Sequence, residues 1–343
     1  MNSKGKNIFL LTGLTILLVV IFFADLFLGS VHIAIHDIFL ALQGKSSSAY
    51  NQIIIDFRLP KAITAVVAGV ALSVSGLQMQ TIFRNPLAGP DVLGISSGAS
   101  LGVAIMVLGF SSFFSRSMFT LMGSWSVVFT AWLGAGAVLL LILLVSVRIR
   151  DVMTLLILGI LFSGATSAIV TILQYFSSES MLKSFVVWTM GSLGGVTATQ
   201  LKVLIPSIFV GLVITSFTIK QLDVLLLGEK YSASMGVNVL LTRVLVFLST
   251  SILAGSITAF CGPIAFVGVA VPHLSRMAFQ TSSHKILFPA TILTGAVVML
   301  FSDIISQVPG VAITLPINAV TSILGIPVIV WIIMKNKKLG GFF

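Results

Sequence analysis

Long apolar runs without a charged residue constrain the fold of this chain more than any other feature of its sequence. The first run covers residues 8–24, and another is the Val-Leu-Leu-Leu-Ile-Leu-Leu-Val stretch at 138–145. Charged residues make up only 8% of the 343, whereas soluble domains carry about a quarter. So few charges cannot cover the surface of a soluble fold of this size. The sequence therefore predicts a polytopic protein embedded in a lipid bilayer.

The predicted fold class is all-α, with about ten transmembrane helices of ~20 residues each in a single transmembrane domain, 1–343. A transmembrane β-barrel is disfavoured because its strands alternate apolar and polar residues, and residues 138–145 do not. Residues 8–24 are longer than a signal-peptide core and lack a clear cleavage site, which favours a retained first helix. The predicted helices cover residues 8–28, 61–83, 92–110, 121–147, 152–176, 201–219, 239–260, 286–308 and 319–334, with a short broken element at 262–271.

The Lys and Arg residues predict the orientation of these helices. With ten crossings and a cytoplasmic N-terminus, the C-terminus is also cytoplasmic. Thirteen of the 19 basic residues then lie on the inside and six on the outside, as the positive-inside rule requires. The net charge of +10 is therefore interpreted as basic loops facing the cytoplasm, and no nucleic-acid partner is expected.

No sequence motif indicates an enzyme. The chain has no G-x-x-x-x-G-K-[ST] phosphate loop and no H-E-x-x-H metal motif. His32 and His36 lie at helical i,i+4 spacing beside Asp37, but a helix face at the membrane surface explains them better than a metal site, and no metal is expected. A transport function would then take its energy from an ion gradient or from a partner. Asp25 and Asp303 are the acidic candidates for ion coupling, and both lie near predicted helix ends, which weakens the gradient hypothesis.

Three short stretches carry the remaining information. The first is a proline-bracketed polar turn from Arg84 to Pro90, between two apolar runs. The second is residues 227–236, where helix-forming residues stand between two glycines, either as a short helix that docks a partner or as an ordinary connection. The third, residues 262–276, is interrupted by Gly and Pro and ends in Pro-His-x-x-Arg, so it resembles the broken helices that line cavities or are buried in membrane proteins.

These stretches together resemble the FecCD-type family of ABC transporter permeases, which take up iron chelates and cobalamin. The resemblance covers nearly the whole chain and is carried by residues 58–61 (Arg-Leu-Pro-Lys), 75–80, 84–94 (Arg-Asn-Pro-Leu-Ala-Gly-Pro-Asp-Val-Leu-Gly), 227–236 and 266–276. The two most specific motifs are 84–94 and 266–276. The resemblance implies a structural role for seven of their residues: Arg84, Pro86, Pro90, Gly268, Pro272, His273 and Arg276.

The resemblance implies the partners and the working residues. Two permease copies would form the translocation path. Two cytoplasmic ATPase subunits, which bind ATP and Mg²⁺, would bind a coupling element at about 221–237. No cofactor is expected on this chain itself. An extracytoplasmic substrate-binding protein would dock on Arg58 and Lys61, and such rim charges guide encounter more than they add affinity. The coupling residues would be Leu227, Gly228, Ala233 and Gly236, and the cytoplasmic gate would be Asn85 and Leu87 with Val152 and Met153.

The sequence departs from the family pattern near its C-terminus. Gln307 stands where the family has an arginine, and Thr314 and Asn318 replace its usual Glu and Gly, which puts the docking contacts of this region in doubt. The expected function is a multi-pass permease of the bacterial cytoplasmic membrane that imports a siderophore, haem or cobalamin-like substrate. An ion-driven secondary transporter and a non-transporting receptor or scaffold are the alternatives. The substrate, and pairing with a second copy or with a paralogue, stay open.

Overall fold

The computed structural model describes residues 3–29, 48–109, 116–149, 151–307 and 314–338, together with 33, 36, 38 and 43. Within these residues the chain forms helices and their connections, with an isolated bridge between Gln307 and Thr314 as its β-structure. The all-α prediction is therefore confirmed. The helices are α1 Ser3–Phe27, α2 Ser48–Asn51, α3 Leu59–Ile82, α4 Ile95–Ala104, α5 Arg116–Arg148, α6 Val152–Phe176, α7 Glu179–Thr189, α8 Ala198–Leu225, α9 Glu229–Ser234, α10 Val239–Cys261, α11 Val267–Phe279, α12 His284–Ser306 and α13 Ile317–Lys338.

Seven helical segments among the described residues are long and apolar enough to cross a membrane. They differ in how far protein surrounds them. The most apolar part of Gln52–Ile82 is 83% buried, whereas that of Gly5–Phe27 is not buried at all. Since apolar side chains outside the protein interior need lipid, α1 is a peripheral span and α3 a central one. The number of ten crossings and the cytoplasmic termini stay predictions.

Two helices are preceded or followed by a change of helical pitch. A π-helical segment, Gln52–Arg58, leads without a break into α3, so this helix begins earlier than the predicted residue 61. A second π-helical segment, Ile105–Gly109, continues α4. Such segments are rare and often mark functional positions, and the first of them ends at Arg58.

The described residues group into two compact units. Unit 1 comprises Met1–Leu77, Ser192–Pro206 and Ile264–Phe343, and unit 2 comprises Gln78–Gly191 and Ser207–Pro263. The prediction of a single transmembrane domain stays a prediction.

Unit 1 is held together by glycines that let helices touch backbone to backbone. A Cβ on Gly69 would lie 2.1 Å from the carbonyl oxygen of Gly295, and one on Gly76 would lie 1.6 Å from that of Gly268. Between these two positions, the Ser73 hydroxyl lies 3.1 Å from the Thr291 carbonyl oxygen. Small residues allow this close approach of membrane helices, so α3 packs directly on α12 and α11.

Unit 2 has a core of aliphatic and aromatic side chains between α4, α5 and α10. Phe83, just after α3, stacks on Phe247 of α10 with ring centroids 6.1 Å apart. Gly98 and Gly102 of α4 pack against the α5 backbone, where a Cβ would lie 2.6 and 2.1 Å from carbonyl oxygens. The segment that follows α3 is therefore fixed to α10, on the cytoplasmic side according to the predicted orientation.

The broken element near the C-terminus differs from its prediction. Residues 262–266 are not helical, and α11 begins only at Val267, after Phe266 with φ +68°. The helix then continues through Pro272 to Phe279, beyond the predicted end at residue 271. Pro272 supplies no N–H to the carbonyl four residues earlier. That carbonyl belongs to Gly268, against which Gly76 packs.

Candidate docking, gate and coupling sites

Arg58 connects the start of α3 to the end of α1 in unit 1. Its Nη1 donates to the carbonyl oxygens of Leu26 at 2.8 Å and Phe27 at 3.2 Å. These belong to the last turn of α1, where helix carbonyls lack partners within the helix and where a cation is favoured by the helix dipole. A Cβ on Gly29 would lie 2.7 Å from the same guanidinium. The half-buried Arg58 thus has a structural role before any partner binds.

Lys61 is part of a network of buried charged groups, also in unit 1. Its Nζ lies 3.0 Å from Oδ1 of Asp303, with 18% of the lysine side chain and 1% of the aspartate side chain exposed. Nε2 of Gln307 donates to Asp303 Oδ2 at 3.1 Å and to Asp25 Oδ1 at 3.0 Å. The two acidic residues that the sequence offered for ion coupling are therefore joined to one lysine and one amide.

The departures from the family pattern have partners within unit 1. Gln307 bridges the two carboxylates and pairs through its backbone with Thr314. Asn318 Oδ1 accepts a hydrogen bond from the backbone N–H of Ala265 at 3.0 Å, which ties the non-helical segment before α11 to the start of α13. The expectation that these departures alter docking stays a prediction.

The predicted gate turn is a rigid connection in unit 2. Arg84 has φ +45°, and Asn85 Oδ1 accepts the backbone N–H of Leu87 at 2.9 Å, which is how asparagine stabilises a turn. Pro86 follows Asn85, and the buried Pro90 begins a 3₁₀ turn, Pro90–Leu93. Leu87 remains 43% exposed, so the turn presents an apolar side chain.

The start of α6 is the second part of the predicted gate. Asp151 caps this helix, since its Oδ2 accepts the Thr154 N–H at 2.9 Å and the Thr154 hydroxyl at 2.6 Å. These hydrogen bonds, that of the Thr154 hydroxyl most, hold the pKa of Asp151 below its ordinary value. Met153 is 60% exposed, and the side chain of Val152 lies outside the described residues.

Contact between α6 and the turn segment is made about two turns after the start of the helix. A Cβ on Gly159 would lie 2.0 Å from the carbonyl oxygen of Val92, within the 3₁₀ turn. The structure therefore brings the residues just after the gate turn against α6.

The predicted coupling element contains the short helix α9, framed by two glycines in conformations that other residues rarely adopt. Gly228 has φ +117° and Gly236 φ +84°. The buried Ser232 hydroxyl lies 2.9 Å from the Val224 carbonyl oxygen, which holds α9 to the end of α8. The predicted Ala233 is exposed. The structure thus has the short helix, and its docking to a partner stays a prediction.

Three large apolar side chains on α9 and its flanks are exposed. Leu227, Tyr231 and Met235 are 62%, 57% and 56% exposed. Tyr231 and Met235 are four residues apart in α9 and its C-cap, and side chains at this spacing share a helix face, whereas Leu227 precedes the helix on the other side of Gly228. The sequence reasoning selected Leu227 but missed the other two, although their spacing was visible in the sequence.

Two arginines connect α9 to the rest of unit 2. Arg84 Nη2 donates to the carbonyl oxygen of Leu225, the last residue of α8, at 3.1 Å. Arg243 Nη2 donates to Glu229 Oε1 at 2.8 Å, and the arginine side chain is only 4% exposed. The structure thus brings the predicted gate turn to the predicted coupling element. Glu229 and Arg243 are further residues that sequence reasoning missed.

The last motif lies on α11 in unit 1. His273 is 8% exposed and Arg276 half-buried, which places both against the protein rather than free in a loop. Among the described residues there is no group of three or more His, Cys, Asp or Glu side chains that could hold a metal. His32 and Asp37 of the disfavoured metal site lie outside the described residues.

Known proteins similar to this chain are membrane transport subunits. The profile of the FecCD transport family matches residues 17–335. The hemin transport system permease protein HmuU of Yersinia pestis is 32% identical over 343 residues, covering 98% of this chain and 99% of that protein. The vitamin B12 import system permease protein BtuC of Vibrio vulnificus is 34% identical over 320 residues, 91% of each. A chain from an inward-facing structure of a metal-chelate type ABC transporter has a TM-score of 0.80 and 31% identity, covering 95% of this chain and 98% of that one.

Proposed function

The chain belongs to the FecCD transport family and is a membrane permease of this importer type, and from this premise we propose that it carries a metal chelate into the cytoplasm. The proposed substrate is an iron chelate, either a siderophore or haem, or a cobalamin-like molecule. HmuU is named for hemin and BtuC for vitamin B12, both large metal complexes of a macrocycle. The proposed location is the bacterial cytoplasmic membrane.

The observation that carries this proposal is the position and surface of α9. The large side chains of Leu227, Tyr231 and Met235 on α9 and its flanks are exposed, and α9 is too short to cross a membrane. An exposed aromatic and aliphatic cluster is typical of a protein-binding surface. In an ABC importer its occupant is an ATPase subunit, so we assign ATP hydrolysis to two separate cytoplasmic partners and none to this chain.

The face of α6 supports a wide substrate path. Among the side chains exposed along one stripe of this helix are Met153, Ile157, Gly164, Ala168 and Thr171. No heavy atom outside the helix lies within 4 Å of the Cβ position of Gly164. Two such stripes, one from each of two permease copies, would face each other and leave room for a bulky chelate between their small and apolar side chains. The working unit we propose is therefore a homodimer.

The docking proposal for the binding protein keeps Arg58 and Lys61. Both are half-buried and engaged within unit 1, so a partner's carboxylates would meet cations whose positions are already fixed. Fixed charges increase the rate at which the two proteins associate and determine the orientation in which they meet. The charge of these residues should therefore make association dependent on salt.

Uptake by reconstituted vesicles tests the function. The permease, its ATPases and its binding protein should accumulate haem, a ferric siderophore or cobalamin only when ATP is inside with the ATPases and the binding protein is on the other side. The matched control is the same complex with a non-hydrolysable ATP analogue. Uptake by the permease alone along a proton or sodium gradient would favour the secondary transporter. Binding of partners with no flux of any of the three substrates would favour the receptor or scaffold.

A further inference from the structure

A polar contact joins the gate turn to the end of α8, shortly before α9, within unit 2. The guanidinium of Arg84, the first residue of the turn, donates to the Leu225 carbonyl at 3.1 Å. The same Nη2 lies 3.6 Å from the Cβ position of Gly228, the residue that precedes α9. Arg84 therefore lies against the connection between α8 and α9, 141 residues away in sequence.

A second contact runs from α9 through α10. Glu229, the first residue of α9, pairs with Arg243 at 2.8 Å. Arg243 and Phe247 are four residues apart, so they share a face of α10. Phe247 stacks on Phe83 with an interplanar angle of 19°. Since Phe83 directly precedes Arg84, both contacts end at the same point of the chain.

The space between these groups is nearly filled. A cavity lined by Thr81, Arg84, Leu225 and Glu229, among others, has a volume of about 10 Å³, which is at the lower limit for one water molecule. The contacts at 3.1 Å and 2.8 Å on either side of it are direct. Packed groups of this kind transmit displacement because interiors are dense and only slightly compressible.

We propose that Arg84 and the Glu229–Arg243 ion pair are positioning residues that transmit the movement of α9 to the gate turn. This inference rests on the proposed function, in which ATPases move α9. When α9 shifts, it moves the end of α8, to which Ser232 holds it, and the Leu225 carbonyl pulls on Arg84. Glu229 pulls on α10 and through it on Phe83. Arg84, whose φ is left-handed, lies between the end of α3 and the rest of the turn.

The experiment measures substrate transported per ATP hydrolysed in reconstituted vesicles, together with the affinity of the permease for its ATPases. Coupling between sites typically changes affinities or populations roughly 5–150-fold. Arg84→Ala is therefore expected to lower uptake per ATP about tenfold while ATPase affinity and ATP hydrolysis stay at wild-type values. Arg84→Lys, which retains a donor for the Leu225 carbonyl, should have an uptake per ATP between those of Arg84→Ala and wild type. Arg148→Ala, which removes an exposed arginine at the end of α5, is the matched control.

The ion pair is tested by reversing it. Glu229→Arg should lower uptake per ATP, and adding Arg243→Glu should restore it, which a merely structural loss would not do. If Glu229→Arg does not fold, Glu229→Gln takes its place, with the same expected loss and with Glu179→Gln at the exposed start of α7 as the control.

Three results overturn the inference. The first is an Arg84→Ala variant with the wild-type ratio. The second is a loss of uptake that parallels a loss of ATPase affinity, because Arg84 would then be a docking residue. The third is a wild-type complex with no ATP-dependent uptake, which overturns the proposed function as well and so is distinct from the first two.

Discussion

The ion pair between Lys61 and Asp303 gives the sharpest prediction about stability. The lysine side chain is 18% exposed and the aspartate side chain 1%, so the two partners differ in their access to water. In Lys61→Met the buried carboxylate loses its cation, and breaking a buried pair in this way costs about 3–5 kcal/mol. In Asp303→Asn the lysine can extend its ammonium toward water, and we expect a cost of about half that size.

The double variant tests whether loss of the ion pair causes the destabilisation of the single variants. Lys61→Met with Asp303→Asn removes both charges of the pair, and the asparagine and Asp25 can still accept the hydrogen bonds from Gln307. Replacing a buried pair with uncharged groups is often neutral, so the double variant should lie within about 1 kcal/mol of wild type. The two single costs together are about 4.5–7.5 kcal/mol, so the coupling energy should be about 3.5 kcal/mol or more, above the range of about 0.5–3 kcal/mol that is usual for residues in contact.

Thermal unfolding in detergent micelles measures these differences. Wild type, the two single variants and the double variant are ranked by Tm and by the half-life of the folded fraction at one temperature, which also serves if unfolding is irreversible. Lys202→Met, which removes an exposed lysine of unit 1, is the control for loss of a cation. The reasoning is refuted if Lys61→Met is no less stable than Lys202→Met. It is also refuted if the stability loss of the double variant equals the sum of the losses of the two single variants.

The remaining predictions concern glycines and a helix cap. Gly236→Ala forces an alanine into φ +84° at a cost of about 1–3 kcal/mol, so uptake per ATP should fall; an unchanged ratio would remove Gly236 from the coupling element. Gly76→Ala would put a Cβ 1.6 Å from a carbonyl oxygen and should cost about 3 kcal/mol by Tm, whereas Gly136→Ala, with no atom within 4 Å, should cost nothing; equal Tm values would contradict the packing. The pKa of Asp151 is lowered from 3.8, so its stabilisation of α6 is present above pH 3.8 and is lost as the pH falls through the lower folded value. The protection of backbone amides at the start of α6 from hydrogen exchange, relative to the intrinsic rate at each pH, should therefore fall in acid for wild type but not for Asp151→Asn, which caps without titrating; the same fall in both would exclude the carboxylate as the cause.

The long apolar helices were predictable because length and apolar character are properties of the sequence alone. The predicted span at 152–176 has the bounds of α6, Val152–Phe176, and the predicted 239–260 ends one residue before α10. Helix ends that depend on tertiary contacts were not predictable. Pro272 was taken as the end of a short element, but α11 passes through it.

The candidate site was predictable as a set of motifs but not as a set of contacts. The glycines at 228 and 236 identify a framed short helix, because their left-handed φ values favour glycine. The link from Arg84 to the Leu225 carbonyl joins residues 141 apart, and no local pattern specifies such a pair. Arg243 was counted only as an inside charge, whereas the structure buries it against Glu229.

The two cations proposed for docking are both held by contacts inside unit 1. Arg58 donates through Nη1 to the α1 carbonyls, and Lys61 pairs with Asp303. A docked carboxylate would therefore meet cations whose positions are already set. Because the internal contacts already fix both side chains, docking would cost little rotamer entropy, which is the physical advantage of placing docking charges in a structural network.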